Sequence, residues 1–121
     1  MAKIEIIDSL AKEIQKKFKG ESHKIVKLLR SVEENPKKGK LVGNVSGFLI
    51  KELKYKSFRF YFIVEGEKIN FYSKEELVDL LIRFVRMSNK NTQQKIINEI
   101  REVLLKIGPE GFWIILKTQN S

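Results

Sequence analysis

Ser57-Phe58-Arg59-Phe60-Tyr61-Phe62-Ile63-Val64 is the stretch that decides the fold. Apart from Ser57 and Arg59 it is aromatic or β-branched, the residue types that suit a pleated strand. Side chains two apart on a strand share a face. Phe58, Phe60, Phe62 and Val64 therefore form one apolar side, which must look into a core. Arg59, Tyr61 and Ile63 fall on the other side, where a cation stands beside a ring on a face expected to be free.

Working outward, Phe48 to Tyr55 reads as the preceding strand, after a turn punctuated by Gly43, Ser46 and Gly47. In it Glu52 and Lys54 share a face with Ile50, and Lys51 shares the other with Leu49 and Leu53. Glu65-Gly66 turns the chain toward a hairpin partner at Lys68 to Tyr72. Ser73-Lys74-Glu75-Glu76 looks like a cap and first helical turn, with Asp79 adding a third carboxylate that reads as part of a solvated turn. Leu80 to Met87 reads either as a strand or as a continuation of that helix, and periodicity alone does not choose. On a straight strand Arg83 and Arg86, three apart, would face opposite ways.

Toward the N-terminus, Lys3 to Ile7 alternates like a short strand. Asp8 or Ser9 is placed to cap a helix carrying Leu10, Ala11, Ile14 and Phe18, and Gly20 to stop it. Ser22 to Glu34 repeats a helical stripe, ended by Asn35-Pro36 because proline disfavours a helical residue before it. Lys37-Lys38-Gly39-Lys40 follows as a basic loop. Toward the C-terminus, Thr92 opens a helix with Ile96, Ile97, Ile100, Val103, Leu104 and Ile107 on one side, and Gly108-Pro109 closes it. Gly111 to Lys117 is a last strand or an ordered tail. Early helices followed by neighbouring strands give an α+β class: two N-terminal helices on one face of an antiparallel sheet, with a C-terminal helix.

The 121 residues fit one domain, 1–121. Lys+Arg 24 against Asp+Glu 15 gives a net charge of +9, and it is uneven. Residues 1–60 hold fifteen basic and seven acidic side chains, a net of +8, leaving +1 for the remainder. Such a cationic half suits an anionic partner, and equally keeps a helix surface in water. With no cysteine, disulfides and thiolate metal sites are excluded. No apolar run reaches the ~20 residues of a membrane span, and the N-terminus lacks a leader's apolar core. The expected compartment is the cytoplasm. His23 is the only histidine and reads as solvent-facing. No phosphate-loop spacing occurs among the glycines at 39–47. Neither a cofactor nor a metal is expected.

The order of motifs resembles the RelE/ParE toxin superfamily, nearest its HigB-like, phage-derived branch. Two helices, Glu34-Asn35-Pro36 with Gly39-Lys40 and Gly43, Ile50-Lys51-Glu52-Leu53-Lys54, then Phe58-Arg59-Phe60-Tyr61-Phe62 carry that resemblance. Ile82-Arg83-Phe84-Val85-Arg86-Met87 and Lys90-Asn91-Thr92 continue it. It spans roughly residues 3 to 105, leaving 108–121 as a C-terminal extension, and each motif is short. The resemblance implies a RelE-like domain, paired with an antitoxin, that cleaves messenger RNA on the ribosome and so inhibits translation. Lys54, Arg59 and Arg86 would grip the scissile phosphate as catalytic cations. Tyr61 is the nearest acid–base group, though a phenol with a pKa near ~10 needs help from neighbouring cations. Lys37, Lys38, Lys40, Lys56, Arg83 and Lys90 would hold flanking RNA. The chain departs from the pattern at Ile82, where many relatives carry histidine, at Met87, and after Lys90, where no proton-transfer tyrosine or histidine follows. Ser73 to Asp79 looks inserted. Two other functions stay open: a non-catalytic RNA- or ribosome-binding module, and a ParE-like topoisomerase inhibitor working through protein contacts.

Overall fold

A computed structural model describes residues 3–66 and 81–112. The expected hairpin arm at 68–72, the cap at 73–76, the carboxylates at 75, 76 and 79 and most of the expected 111–117 segment lie outside these residues.

β1 (Lys3–Ile6) leads directly into α1 (Asp8–Phe18). Ile7 joins them: its amide donates to the Phe84 carbonyl at 3.2 Å, and its carbonyl accepts from Ala11 at 3.0 Å. This backbone continuity replaces the side-chain cap expected of Asp8 or Ser9, since no side-chain oxygen caps α1. Asp8 instead lies in the first turn and Lys16 and Lys17 in the last, where each charge complements the helix dipole. The helix breaks at Lys19, with φ 46°, rather than at Gly20. A short 3₁₀ turn, Lys19–Glu21, then leads into α2 (Ser22–Glu34). Leu10 and Ile14 of α1 and Ile25, Leu29 and Val32 of α2 are buried, as their spacing predicts.

β2 (Lys40–Val45), β3 (Phe48–Tyr55), β4 (Phe58–Glu65) and β5 (Leu81–Asn89) complete a five-stranded sheet ordered β1-β5-β4-β3-β2. Leu81 to Asn89 is thus a strand, one of the two readings its sequence allows. The sheet is mixed, not wholly antiparallel: β1 runs parallel to β5 while the other neighbours are antiparallel. β2 escaped the sequence reading because Gly43 resembles a turn residue. Gly43 instead sits inside the strand at an irregularity after Leu41, and the turn is Ser46-Gly47, both at positive φ. A Cβ on Gly43 would come within 3.1 Å of Ile50 Cδ1 and 3.2 Å of an Arg101 guanidinium nitrogen.

That Arg101 belongs to α3 (Gln93–Lys106), which packs on β2 and β5. Ile96, Ile97, Ile100 and Leu104 are buried beneath it. The face expected to be free is therefore covered. β4 is buried from both sides: Phe60, Tyr61 and Phe62 are 0% exposed and Arg59 is 9% exposed. On the side of α1, Phe18 meets Phe58 edge-on at 5.0 Å, and Phe62 packs on Phe84 at 4.8 Å. The chain beyond α3 folds back, with Phe112 buried and Gly111 against Val103 and Ile107. Among the described residues, no helix is long and apolar enough to cross a membrane.

Candidate nucleic-acid interface

The α3 face carries two neighbouring cross-strand rows. In one, Lys54, Arg59 and Ser88 are register partners on β3, β4 and β5. In the other, Lys40, Glu52, Tyr61 and Arg86 line up across β2 to β5. Directly opposed side chains stand about 4.5–5.5 Å apart at Cβ. The four residues expected to be catalytic, Lys54, Arg59, Tyr61 and Arg86, are thus brought together on one face. The register of Arg86 depends on a feature that its sequence conceals. Tyr61 pairs with Arg86 and Phe62 with Phe84, so Val85 is an extra residue in β5. That bulge turns Arg83 and Arg86 to the same face, where a straight strand would separate them.

Lys54 is exposed and Arg59 is not. The Arg59 guanidinium donates through Nη1 to the Ser57 carbonyl at 2.9 Å, while its buried Nε finds no acceptor. Among the described residues no carboxylate lies within 4.0 Å of Arg59 or Lys54. Two like charges directly opposed on a sheet, one of them desolvated, cost stability. An anion seated between them would offset that cost.

Tyr61 is not available for proton transfer. Its hydroxyl is buried against Ser88 Oγ at 2.8 Å. Burial pushes the phenol above its usual 10.0, and Glu52 adds to that rise; the Ser88 hydrogen bond and Arg59 oppose it without reversing it. The expected help from neighbouring cations is outweighed. Arg86 faces Glu99 of α3 at 3.7 Å, so it lies under the helix with an acidic partner.

An open groove of about 550 Å³ runs beside these rows, between the sheet and the start of α3. Lys40, Leu41, Val42 and Glu52 form the sheet wall; Lys90, Asn91, Gln93, Gln94 and Ile97 form the other. The turn that presents Lys90 is locked by Thr92 together with Asn89 and Gln93, two residues that the sequence did not single out. Asn89 Oδ1 accepts from the Asn91 and Thr92 amides at 2.8 and 3.0 Å, and Thr92 Oγ1 accepts from the Asn89 amide at 3.2 Å. Gln93 Nε2 donates to the Lys90 carbonyl at 3.0 Å. The Asn-x-x-Thr spacing was the available signal, since short polar side chains commonly bond backbone two or three residues on.

The remaining expected contacts divide. Lys40 and Lys90 line the groove. Lys37 is exposed in the loop before β2, and its carbonyl accepts from Lys51 Nζ at 2.8 Å. Lys38 turns back to Ser31 Oγ at 2.9 Å. Lys56, in the β3–β4 turn, lies 3.5 Å from Glu21. Arg83 sits toward the far end of the sheet, between Glu5 at 3.5 Å and Glu110 at 2.9 Å, beside a separate pocket lined by Phe48, Ile63 and Pro109. It is not brought to the Lys54–Arg59 end. Lys51, which shares the strand face of Leu49 and Leu53, is 7% exposed; burial lowers its pKa, and it ties the basic loop to the sheet over the Phe62 ring. No group of three or more His, Asp or Glu side chains suited to a metal gathers among the described residues.

Comparisons of the chain with models of protein families, with curated proteins and with solved structures find no match.

Proposed function

We propose that this chain is a RelE-like toxin domain that grips messenger RNA at the ribosome through the Lys54–Arg59 end of its sheet, cleaves it, and thereby arrests translation. Arg59 carries this reading. A guanidinium nine-tenths buried, lacking a carboxylate partner among the described residues and facing a second cation, is a poor device for stability and a good one for a phosphate. Lys40 and Lys90 extend the positive surface along an open groove of about 550 Å³. The α+β class with a mixed five-stranded sheet is compatible with a RelE-like arrangement. An antitoxin protein is the partner such a domain would have.

A second reading is a non-catalytic RNA- or ribosome-binding module on the same scaffold. The observation favouring it is the locked Tyr61 hydroxyl, which removes the acid–base group the resemblance suggested. Purified protein added to translating ribosomes, with transcript ends mapped, separates the two. New ends that vanish in the Lys54→Ala, Arg59→Ala double variant support the toxin. RNA retention without new ends supports the module. Neither retention nor cleavage by the folded wild type contradicts both.

A further inference from the structure

RNA cleavage through the 2′-hydroxyl needs a proton acceptor on one side of the phosphorus and a donor on the opposite side, because the attacking and leaving oxygens lie in line. Tyr61 is shut away, and the groove offers a different pair. Glu52 is the only carboxylate among the groove-lining residues, is partly exposed, and has no ion-pair partner among the described residues. It stands in the row between Lys40 and Tyr61, two residues from Lys54 on the same strand face. Arg59 is its diagonal neighbour, at about 7–8 Å. Lys90 faces it from the other wall, on the turn fixed by Asn89 and Thr92. The other polar side chains of that wall, Asn91, Gln93 and Gln94, are amides and do not take up protons.

We infer that Glu52 is the proton acceptor for the RNA 2′-hydroxyl and Lys90 the proton donor to the departing oxygen, an assignment that rests on the cleavage reading above. The 2′-oxygen passes its proton to a Glu52 carboxylate oxygen and forms a bond to phosphorus. The bond from phosphorus to the 5′-oxygen breaks, and that oxygen takes a proton from the Lys90 ammonium. The products are a 2′,3′-cyclic phosphate and a 5′-hydroxyl, and proton exchange with water restores both side chains. Lys54 and Arg59 hold the charge on the non-bridging oxygens throughout. Glu52 is thus the one carboxylate in a groove whose other charged lining residues are Lys40 and Lys90.

The test uses wild type, Glu52→Gln and Lys90→Ala proteins on ribosomes programmed with a synthetic message. Binding and single-turnover cleavage are read separately. Glu52→Gln should bind the message at least as tightly, cleave about 10²-fold or more slowly, and lose the rise of rate with pH. Lys90→Ala should be rescued by a message with sulfur in place of the 5′-oxygen at the cut, because a thiolate leaves without a proton; Glu52→Gln should not. A 2′-deoxy nucleotide at the cut should bind and resist cleavage. Wild-type cleavage by Glu52→Gln, or cleavage of the 2′-deoxy message, overturns the assignment. Tight binding by wild type with no cleavage overturns it while leaving RNA binding intact. No binding at all overturns it together with the reading beneath it.

Discussion

The two faces of β4 are both covered and chemically opposite. Toward α1 and α2, Phe58, Phe60, Phe62 and Val64 meet rings and aliphatic chains, and nothing on that side of the strand is left over. Toward α3, Arg59, Tyr61 and Ile63 are as well shielded, yet only Tyr61 and Ile63 find what they need. Burial therefore does not distinguish a structural face from a functional one. What distinguishes them is whether each buried polar group has its partner inside the protein. Tyr61 has Ser88, and Arg59 lacks a counter-charge among the described residues.

The largest effect expected is on the apolar face. Phe62→Ala should cost about 3–5 kcal/mol in urea unfolding, through the lost ring contacts and the cavity left beneath Phe84. A loss near zero would remove the claim that this face carries the fold. Next, Lys54→Ala with Arg59→Ala should leave unfolding free energy unchanged or raised, because a like-charge pair is relieved, while RNA affinity falls by about 3 kcal/mol or more. A double variant that unfolds would move Arg59 to the structural side of the comparison.

Tyr61→Phe sharpens the boundary. It should destabilise by about 1–2 kcal/mol, since the buried Ser88 hydroxyl loses its partner, and leave RNA affinity untouched. The pH dependence follows the same logic. The phenol is raised above 10.0, so its contribution to stability is whole below pH 10 and is lost as pH climbs through the higher folded value. Lys51, lowered by burial, works oppositely: its penalty fades as pH rises toward 10.5. The difference in unfolding free energy between wild type and Tyr61→Phe isolates the tyrosine and should shrink above pH 10. The smallest effect belongs to Arg83→Gln. Breaking its pairs with Glu5 and Glu110 should cost about 1 kcal/mol or less, with RNA affinity unchanged, although it removes the same charge as Arg59→Gln. A matching loss of affinity would mean that net charge, not the Lys54–Arg59 end, binds RNA.

The alternation in 57–64 was enough to place β4, its apolar side and the shared face of Arg59 and Tyr61. The helical stripes of α1, α2 and α3 were equally readable, because each repeats over several turns. Three things were hidden. β2 is interrupted by Gly43, whose reason lies across space in Arg101 of α3. The bulge at Val85 is a property of pairing with β4, so no local pattern in β5 announces that Arg83 and Arg86 share a face. The covering of the second face depends on where α3 docks, and an amphipathic helix does not say which surface it will choose. The groove and the place of Glu52 in it follow from that docking, which is why the residues carrying the cations were legible and the groove beside them was not.

The most direct measurement is the affinity of a single-stranded oligoribonucleotide for wild type and for the Lys54→Ala, Arg59→Ala protein, followed by fluorescence anisotropy as salt is raised. Cations seated on phosphates release counterions, so log affinity should fall linearly with log salt, and the double variant's slope should be shallower by about 1.4, two contacts at about 0.7 each. Equal slopes for the two proteins, or binding indifferent to salt, would contradict the claim that the unpartnered guanidinium of Arg59 and the lysine facing it hold the nucleic acid.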